Sequence, residues 1–505
     1  MSMTALSAVE LRRLIGRREL SPRELMDACI AQIEALNPAV NAIAATDFER
    51  ARDSARAAEA QVMRGEPLGL LHGLPLGVKD LLDTAGLLTT HGNVRFRGHV
   101  PARDNALVAR LRTAGAIVTA KTNVPDMGAG ANTRNAVWGA TGNPFDPRLN
   151  AGGSSGGSAA ALAAEMLPLC TGSDTGGSLR IPASLCGVTA LRPSPGMVGN
   201  DQRALGWSAL SVLGPMGRTV ADTALMMAAC VGALPADPLS VAVPASDFWP
   251  LPEADLSPLR IGYTEDFGLC AVDADIRQAF RERVAALRPL VRSCEPLALA
   301  FDDAADHAFD TLRAEAFVAA FADTWRREPE SLGPNVRENM ALAASITLAD
   351  RAQAHLEQTR IARAFASAFE QVDLIVAPVT PVSPFPWTEL YARSVEGREM
   401  RTYYQWLALT YVVTLATNPV VALPCGLDAR AMPIGLQLIG PLRSDARLLA
   451  IAASLERAFA AQPALARPRP DFARLQAAQP ALKSIVTHPP VLGGGDGAAP
   501  QGMAV

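Results

Sequence analysis

The chain reads as an α/β sandwich built on a largely parallel or mixed sheet. Segments with helical apolar spacing alternate with short strands rich in β-branched residues, the pattern that puts helices on the faces of a sheet. Two glycine–serine clusters, GGSSGGS at 152–158 and GSDTGGS at 172–178, sit inside that alternation and run straight on into apolar, structure-forming sequence. At 505 residues and 49% hydrophobic content the chain can bury a large core as one unit.

Taken in order, the first segment, about 5–65, is helical. Ser7-x-x-Glu10 and Ser21-Pro22-Arg23-Glu24 both read as capping boxes, the second with proline at the first helical position. Leu25, Cys29 and Ile33 then recur at helical spacing, and a third helix ends at Gly65, a C-cap. The period then shortens. A strand is predicted at 76–79, ending on Lys79. A helix capped by Asp104 follows, then a turn at Gly115 and a buried strand at 116–120. Helices at 159–165 and 220–229 and strands at 259–264, 373–379 and 418–426 complete the alternation. The stretch from about 235 to 370 is helix-rich, lacks glycine-rich signatures and reads as an insertion that shapes a pocket or covers the sheet. The end, 485–505, is rich in proline and glycine, almost free of large apolar residues, and is expected to be disordered.

Composition narrows the function classes. A net charge of −4 gives no pull toward nucleic acid or anionic membrane. No signal peptide is read at the N-terminus, and no apolar run of about 18 residues occurs. Seven scattered cysteines without a CxxC read as buried thiols in a reducing cytosol, so a cytoplasmic location is expected. None of the six histidines forms HExxH or HxH, so no metal site is expected.

The glycine–serine clusters admit three readings. A flexible linker would be flanked by a compositional break, which neither cluster has. A phosphate cradle needs G-x-x-x-x-G-K-[ST] or G-x-G-x-x-G after a strand, and neither spacing fits. A catalytic site remains. A serine hydroxyl needs a base, and no histidine lies near in sequence. Lys79 ends the apolar strand LPLGV, where burial disfavours its ammonium form. On that residue alone, a structural ion pair and a catalytic base both stand. DTGGS supplies glycines that let backbone N–H groups of Thr175, Gly176, Gly177 and Ser178 approach a developing oxyanion.

Lys79, Ser154 and Ser178, with GGSSGGSAAA and GSDTGGSLRIPA around the serines, resemble the amidase signature family. The serines lie at the family's usual separation. LHGLPLGVKD, AKTNVPDM, WGATGNPFDP, CGVTALRPSPG, GPMGRTVADTALMM and MPIGLQLIGP match in the same order, so the resemblance spans roughly residues 5–465. It implies a three-layer α/β/α fold around a large, mixed, twisted sheet, one domain over 1–484 with a variable substrate-shaping region at about 235–410.

The resemblance also implies a mechanism. Ser178 is the nucleophile, Ser154 the bridging serine after a cis peptide, and Lys79 the base. The amides of 175–178 hold the oxyanion, and Gly128 lies at the mouth of the acyl pocket, with Ala129 and Gly130 leaving room there. No metal or cofactor is required. Ser155 and Ser158 are expected only to cap the helix that follows. Asp174 and Arg180 are expected to pair and hold the loop, and Cys425 to be packed in the core. Trp138, Trp207, Phe385, Trp387, Tyr403, Tyr404 and Trp406 include candidates for a pocket wall. The expected activity is hydrolysis of a small-molecule carboxylic amide, with a homodimer by analogy to relatives. The rival is the glutamine-hydrolysing A subunit of a tRNA-dependent amidotransferase. That subgroup usually carries Asp-Gln where this chain has Val212-Leu213.

Overall fold

The computed structural model describes residues 2–492, and an eleven-stranded sheet runs through them. In chain order its strands are β1 (Ile43–Thr46), β2 (Pro75–Lys79), β3 (Ile117–Thr122), β4 (Leu169–Asp174), β5 (Thr189–Arg192) and β6 (Val212–Gly217). They continue as β7 (Arg260–Tyr263), β8 (Ser293–Pro296), β9 (Leu374–Pro378), β10 (Val420–Leu427) and β11 (Pro433–Ile439). The spatial order is β1-β3-β2-β4-β6-β5-β10-β11-β9-β7-β8. β2 runs parallel to β3 and β4, and β7 parallel to β8 and β9, while the other neighbours are antiparallel. Helices cover both faces of this mixed sheet, the expected three-layer α/β/α fold. β2, β3, β9 and β11 are buried at every residue, so none of them shows the in–out alternation of a half-exposed strand.

Local chemistry sets the element ends. At Ser21 the capping box is complete, with Pro22 opening the helix Pro22–Val40. At Ser7 only half of it forms: the Ser7 hydroxyl accepts from the Glu10 N–H, but the Glu10 carboxylate is held by Arg13. Gly65 ends its helix at φ 71°, a left-handed position that suits glycine. The predicted Asp104 cap belongs instead to Asn105, whose side chain accepts from the Leu107 N–H. Asp104 faces the other way, toward the Ala85 N–H and Arg112.

The stretch about 235–370 is more than an insertion, and so is the wider region to about 410. It supplies β7, β8 and β9, which extend one side of the sheet, and the long helices Asp303–Arg327 and Leu348–Gln371. Within 485–505, the Thr487 and His488 N–H groups donate to the Ala136 carbonyl at 3.0 Å and Val491 to that of Arg97 at 2.8 Å. Residues 493–505, part of the tail expected to be disordered, lie outside the described residues. Among the described residues no helix is long and apolar enough to cross a membrane.

The sheet places the glycine–serine clusters. β2 and β4 are adjacent and parallel, with Leu76 opposite Leu169 and Gly77 opposite Cys170. Lys79 and Asp174 end these two strands, so the segments that follow both emerge at one edge, where open α/β sheets build their sites. The helix Gly156–Ala163 is buried along its whole length, as its uniformly small, apolar sequence requires. Gly157 lets it seat: a Cβ there would meet the Asn123 nitrogen at 2.2 Å and the Ala42 oxygen at 2.7 Å, both backbone. Gly157→Ala is therefore expected to destabilise the fold by about 1–3 kcal/mol or more, as overpacking against rigid backbone does. Urea denaturation measures it, and an unchanged midpoint contradicts the packing described.

Candidate active site

The Gly153–Ser154 peptide is cis, and the two clusters fold onto each other. The Ser155 N–H donates to the Ser178 carbonyl at 3.3 Å. Lys79, fully buried, projects from the end of β2 into the gap between them. Its Nζ lies 2.7 Å from Ser154 Oγ, 2.8 Å from Ser155 Oγ and 2.8 Å from Ser173 Oγ. The same residue's N–H donates to Thr171 Oγ1 at 2.8 Å, which fixes the strand end beneath the side chain.

Three hydroxyl partners suit both forms of the amine. An ammonium donates three hydrogen bonds; a neutral amine donates two and accepts one. Either form is satisfied without rearrangement. Burial pushes the Lys79 pKa down to about 7, and the charge of Asp174 opposes this only in part. Near neutrality the group exchanges its proton readily.

Ser155 is not the cap it was expected to be. Its hydroxyl makes no capping bond to the helix and instead accepts from Lys79. Ser158 does not cap either: it bonds Thr122 Oγ1 at 2.7 Å and the Thr171 carbonyl at 2.8 Å, tying the buried helix to β3 and β4. Both departures have one cause. In a helix sealed against a sheet, a hydroxyl finds strand and lysine partners before its own N-terminal amides. Ser173 was not singled out from sequence, although Thr171 and Ser173 alternate along β4 and so share a face. Two polar residues at that period in a buried strand were the available signal.

Asp174 organises the second cluster. Arg180 reaches it with Nε at 3.0 Å and Nη2 at 2.9 Å, and Arg192 with Nη1 at 3.0 Å. All three side chains are buried. Burial alone would raise this carboxyl, but the two guanidiniums outweigh it and hold Asp174 well below the usual carboxylate range. The carboxylate also accepts from the Gly177 N–H at 2.9 Å and the Leu179 N–H at 3.1 Å, which bends the loop around Ser178. The Gly177 amide is therefore engaged, unlike the free donor read from DTGGS. Among the described residues, nothing accepts from the amides of Thr175, Gly176 and Ser178.

Ser154, Ser173, Thr175, Gly176 and Ser178 line one cavity, together with Gly128 and Gly130. Gly128 has φ 73°, and a Cβ there would meet Leu81 Cδ1 at 2.7 Å, so a side chain at this mouth would push into a wall residue. Ala129 does not line the cavity; it packs in the apolar cluster behind it, with Met127 and Phe321 of the wall. Of the seven aromatic candidates only Tyr403 lines the cavity. Trp207 is 80% exposed, and Tyr404 and Trp406 pack in the core. Phe317 and Phe321, not singled out in the sequence, take the wall positions. Cys425 is buried, and burial pushes its thiol up to about 12, so it is no nucleophile. Asp83, His91 and His99 bring one ligand-type atom each within 4.8 Å of one another, a grouping that no sequence spacing announced, and none of them lines this cavity.

The comparisons with known proteins show the family and the fold. The model of the family described as Amidase matches residues 24–449. The A subunit of glutamyl-tRNA(Gln) amidotransferase from Roseiflexus castenholzii (strain DSM 13941 / HLO8) is 35% identical, the alignment covering 90% of this chain and 95% of that protein. A solved bacterial aryl acylamidase of the amidase signature enzymes superposes with a TM-score of 0.84 at 26% identity, covering 94% of this chain and 99% of that one. The 6-aminohexanoate cyclic dimer hydrolase, solved with its substrate, gives a TM-score of 0.76 at 26% identity, over 90% of this chain and 98% of that one.

Asp174→Ala would leave two guanidiniums buried without a counter-charge. A loss of about 3–5 kcal/mol of stability is expected, larger than for a surface pair, because uncompensated burial is the costly state. Chemical denaturation reads it directly. A loss below about 1 kcal/mol would mean that the three charges are not the buried network described.

Proposed function

The chain belongs to the amidase signature family and is an amide hydrolase, and from that premise we propose that it cleaves small-molecule carboxylic amides through Ser178, Ser154 and Lys79. The observation that carries the reading is the buried Lys79 amine in hydrogen-bond contact with Ser154, in the cavity that also exposes Ser178. Ser178 Oγ attacks the carbonyl carbon and gives its proton to Ser154, whose own proton passes to the neutral Lys79 amine. The amides of Thr175, Gly176 and Ser178 are the free donors for the oxyanion; each such donor is worth about 10²–10³ in rate. The Lys79 ammonium returns the proton along the same path to the leaving nitrogen. Water then enters, Ser178 is released, and the products are an acid and an amine or ammonia. The family resemblance calls for no metal or cofactor.

The amidotransferase reading keeps one observation in its favour, the 35% identity to A subunits over most of the chain. Against it, that subgroup's Asp-Gln, counted back from Gly214-Pro215, fall on Ser211, which lines the cavity, and Val212, buried on β6 opposite Asp174, one residue before the Val212-Leu213 read from the sequence. Neither residue repeats that subgroup's acid–amide pair, so its glutamine pattern is missing from this part of the site. Comparing ammonia release from glutamine with turnover of simple anilides and aliphatic amides separates the two, and a marked preference for glutamine would displace the small-molecule reading.

With an active amide in hand, Ser178→Ala and Lys79→Ala are each expected to lower kcat by about 10³ or more while the thermal midpoint stays measurable. Near wild-type turnover in either variant rejects the assigned role. The pH profile follows from the amine. The working form is neutral, so protonation removes activity: log kcat/KM should fall with unit slope below about pH 7 and level off above it. An acid limb that persists in Lys79→Ala would belong to another group.

A further inference from the structure

The cavity wall contains a second feature that amide hydrolysis itself does not need. Arg313 lies on the helix Asp303–Arg327 and lines the cavity with Phe317 and Phe321, one and two turns further on. It is 8% exposed, yet it forms no ion pair among the described residues. Its one hydrogen bond runs from Nη2 to the Tyr403 hydroxyl at 2.5 Å, and its Nε has no partner. Aromatic faces surround the guanidinium, with Phe317 at 4.7 Å, Tyr404 at 5.1 Å and Tyr403 at 5.5 Å from ring centre to Cζ.

The nearby carboxylates are committed elsewhere. Asp310, one turn earlier on the same helix, accepts from Arg401 at 2.7 Å and from the Tyr404 hydroxyl at 2.7 Å. Glu338 feels the charge of Arg313 but stands outside ion-pair distance, its carboxylate accepting from the Tyr403 N–H at 3.3 Å. The other arginine of the cavity, Arg203, shows the contrast: Asp237 meets it at 3.3 Å. Asn339 donates to the Tyr403 hydroxyl at 2.7 Å, so the residue that holds Arg313 is itself held. A buried, positioned cation with an unused donor is costly unless something else supplies the anion.

We propose that Arg313 is a carboxylate-recognition residue and that the preferred substrates are amides bearing a second, ionised carboxyl group. The proposal rests on the amidase reading of the same cavity. A planar guanidinium binds a carboxylate through paired N–H donors, and the aromatic walls exclude water from the pair. Chemistry at Ser178 is unchanged; the carboxylate serves as an anchor, and hydrolysis releases a dicarboxylic acid and an amine when it lies on the acyl side, or an acid and an amino acid when it lies on the amine side.

The test uses two matched pairs of probes. On the acyl side, the p-nitroanilide of succinic acid is compared with that of butyric acid. On the amine side, N-acetyl-4-aminobenzoate is compared with acetanilide. In at least one pair the carboxylate-bearing amide is expected to exceed its neutral partner in kcat/KM by tenfold or more. Arg313→Met should abolish that preference, chiefly through KM, while turnover of the neutral amide changes little. Arg313→Lys should restore part of it. Equal or lower kcat/KM for the charged amide in both pairs overturns the proposal in the wild-type enzyme alone, so it stays testable even if Arg313→Met fails to fold. A preference that survives Arg313→Met also overturns it. Failure of the amidase reading looks different: all four probes would be inert, or Ser178→Ala would leave their turnover intact.

Discussion

The burial of one amine governs the rest of the structure. Lys79 is carried by a strand with no solvent-facing residue, and the sheet that buries it also lowers its pKa. Holding such a group dry opposes folding, because the ammonium loses its hydration. The three hydroxyls around Nζ offset that cost without fixing the proton, since they can serve amine or ammonium alike. A carboxylate in their place would have pinned the charge and abolished the base. This explains why serine crowds the site: a hydroxyl is small, neutral and both donor and acceptor.

The negative charge that the site does need is kept one layer away. Asp174 follows Ser173 directly and could have reached toward Lys79, but Arg180 and Arg192 draw it to the other side of the strand end. Two cations against one carboxylate leave that layer positive overall. The two guanidiniums beside Asp174 limit its pull on the Lys79 proton. The arrangement also fixes the loop mechanically. The carboxylate takes the amides on either side of Ser178, at 177 and 179, while among the described residues nothing accepts from the amide of Ser178, a residue that lines the cavity. Stability and function are coupled at a single side chain.

Much of this was legible in the sequence, for a physical reason. Glycine–serine clusters embedded in apolar sequence exclude a linker, and a lysine at the end of an apolar strand has few uses. The sheet alternation, the completed box at Ser21 and the Asp174–Arg180 pair follow from local rules. What escaped depends on which elements meet. Ser155 looks like a cap because capping is a local property, whereas its bond to Lys79 joins residues 76 positions apart. Asn105 replaced Asp104 because Arg112 and the Ala85 amide compete for the aspartate. The aromatic wall failed for the opposite reason: Phe309, Arg313, Phe317 and Phe321 repeat at every fourth residue, a visible stripe, but nothing local says that it faces a cavity.

The division between sheet and helices also separates chemistry from selection. Groups from β2, β4 and the two glycine–serine clusters satisfy one another almost completely. Among the described residues, the groups left without a partner around the cavity include the Ser178 hydroxyl and the amides of Ser154, Thr175, Gly176 and Ser178. These specify a carbonyl and nothing more, so they suit any amide. The wall from the helix Asp303–Arg327 contributes a different kind of vacancy, a guanidinium donor held among aromatic rings. Backbone amides cannot be altered by substitution, whereas wall side chains can. Replacing residues on that helix therefore alters the wall while leaving the contacts of Lys79 with Ser154, Ser155 and Ser173 in place.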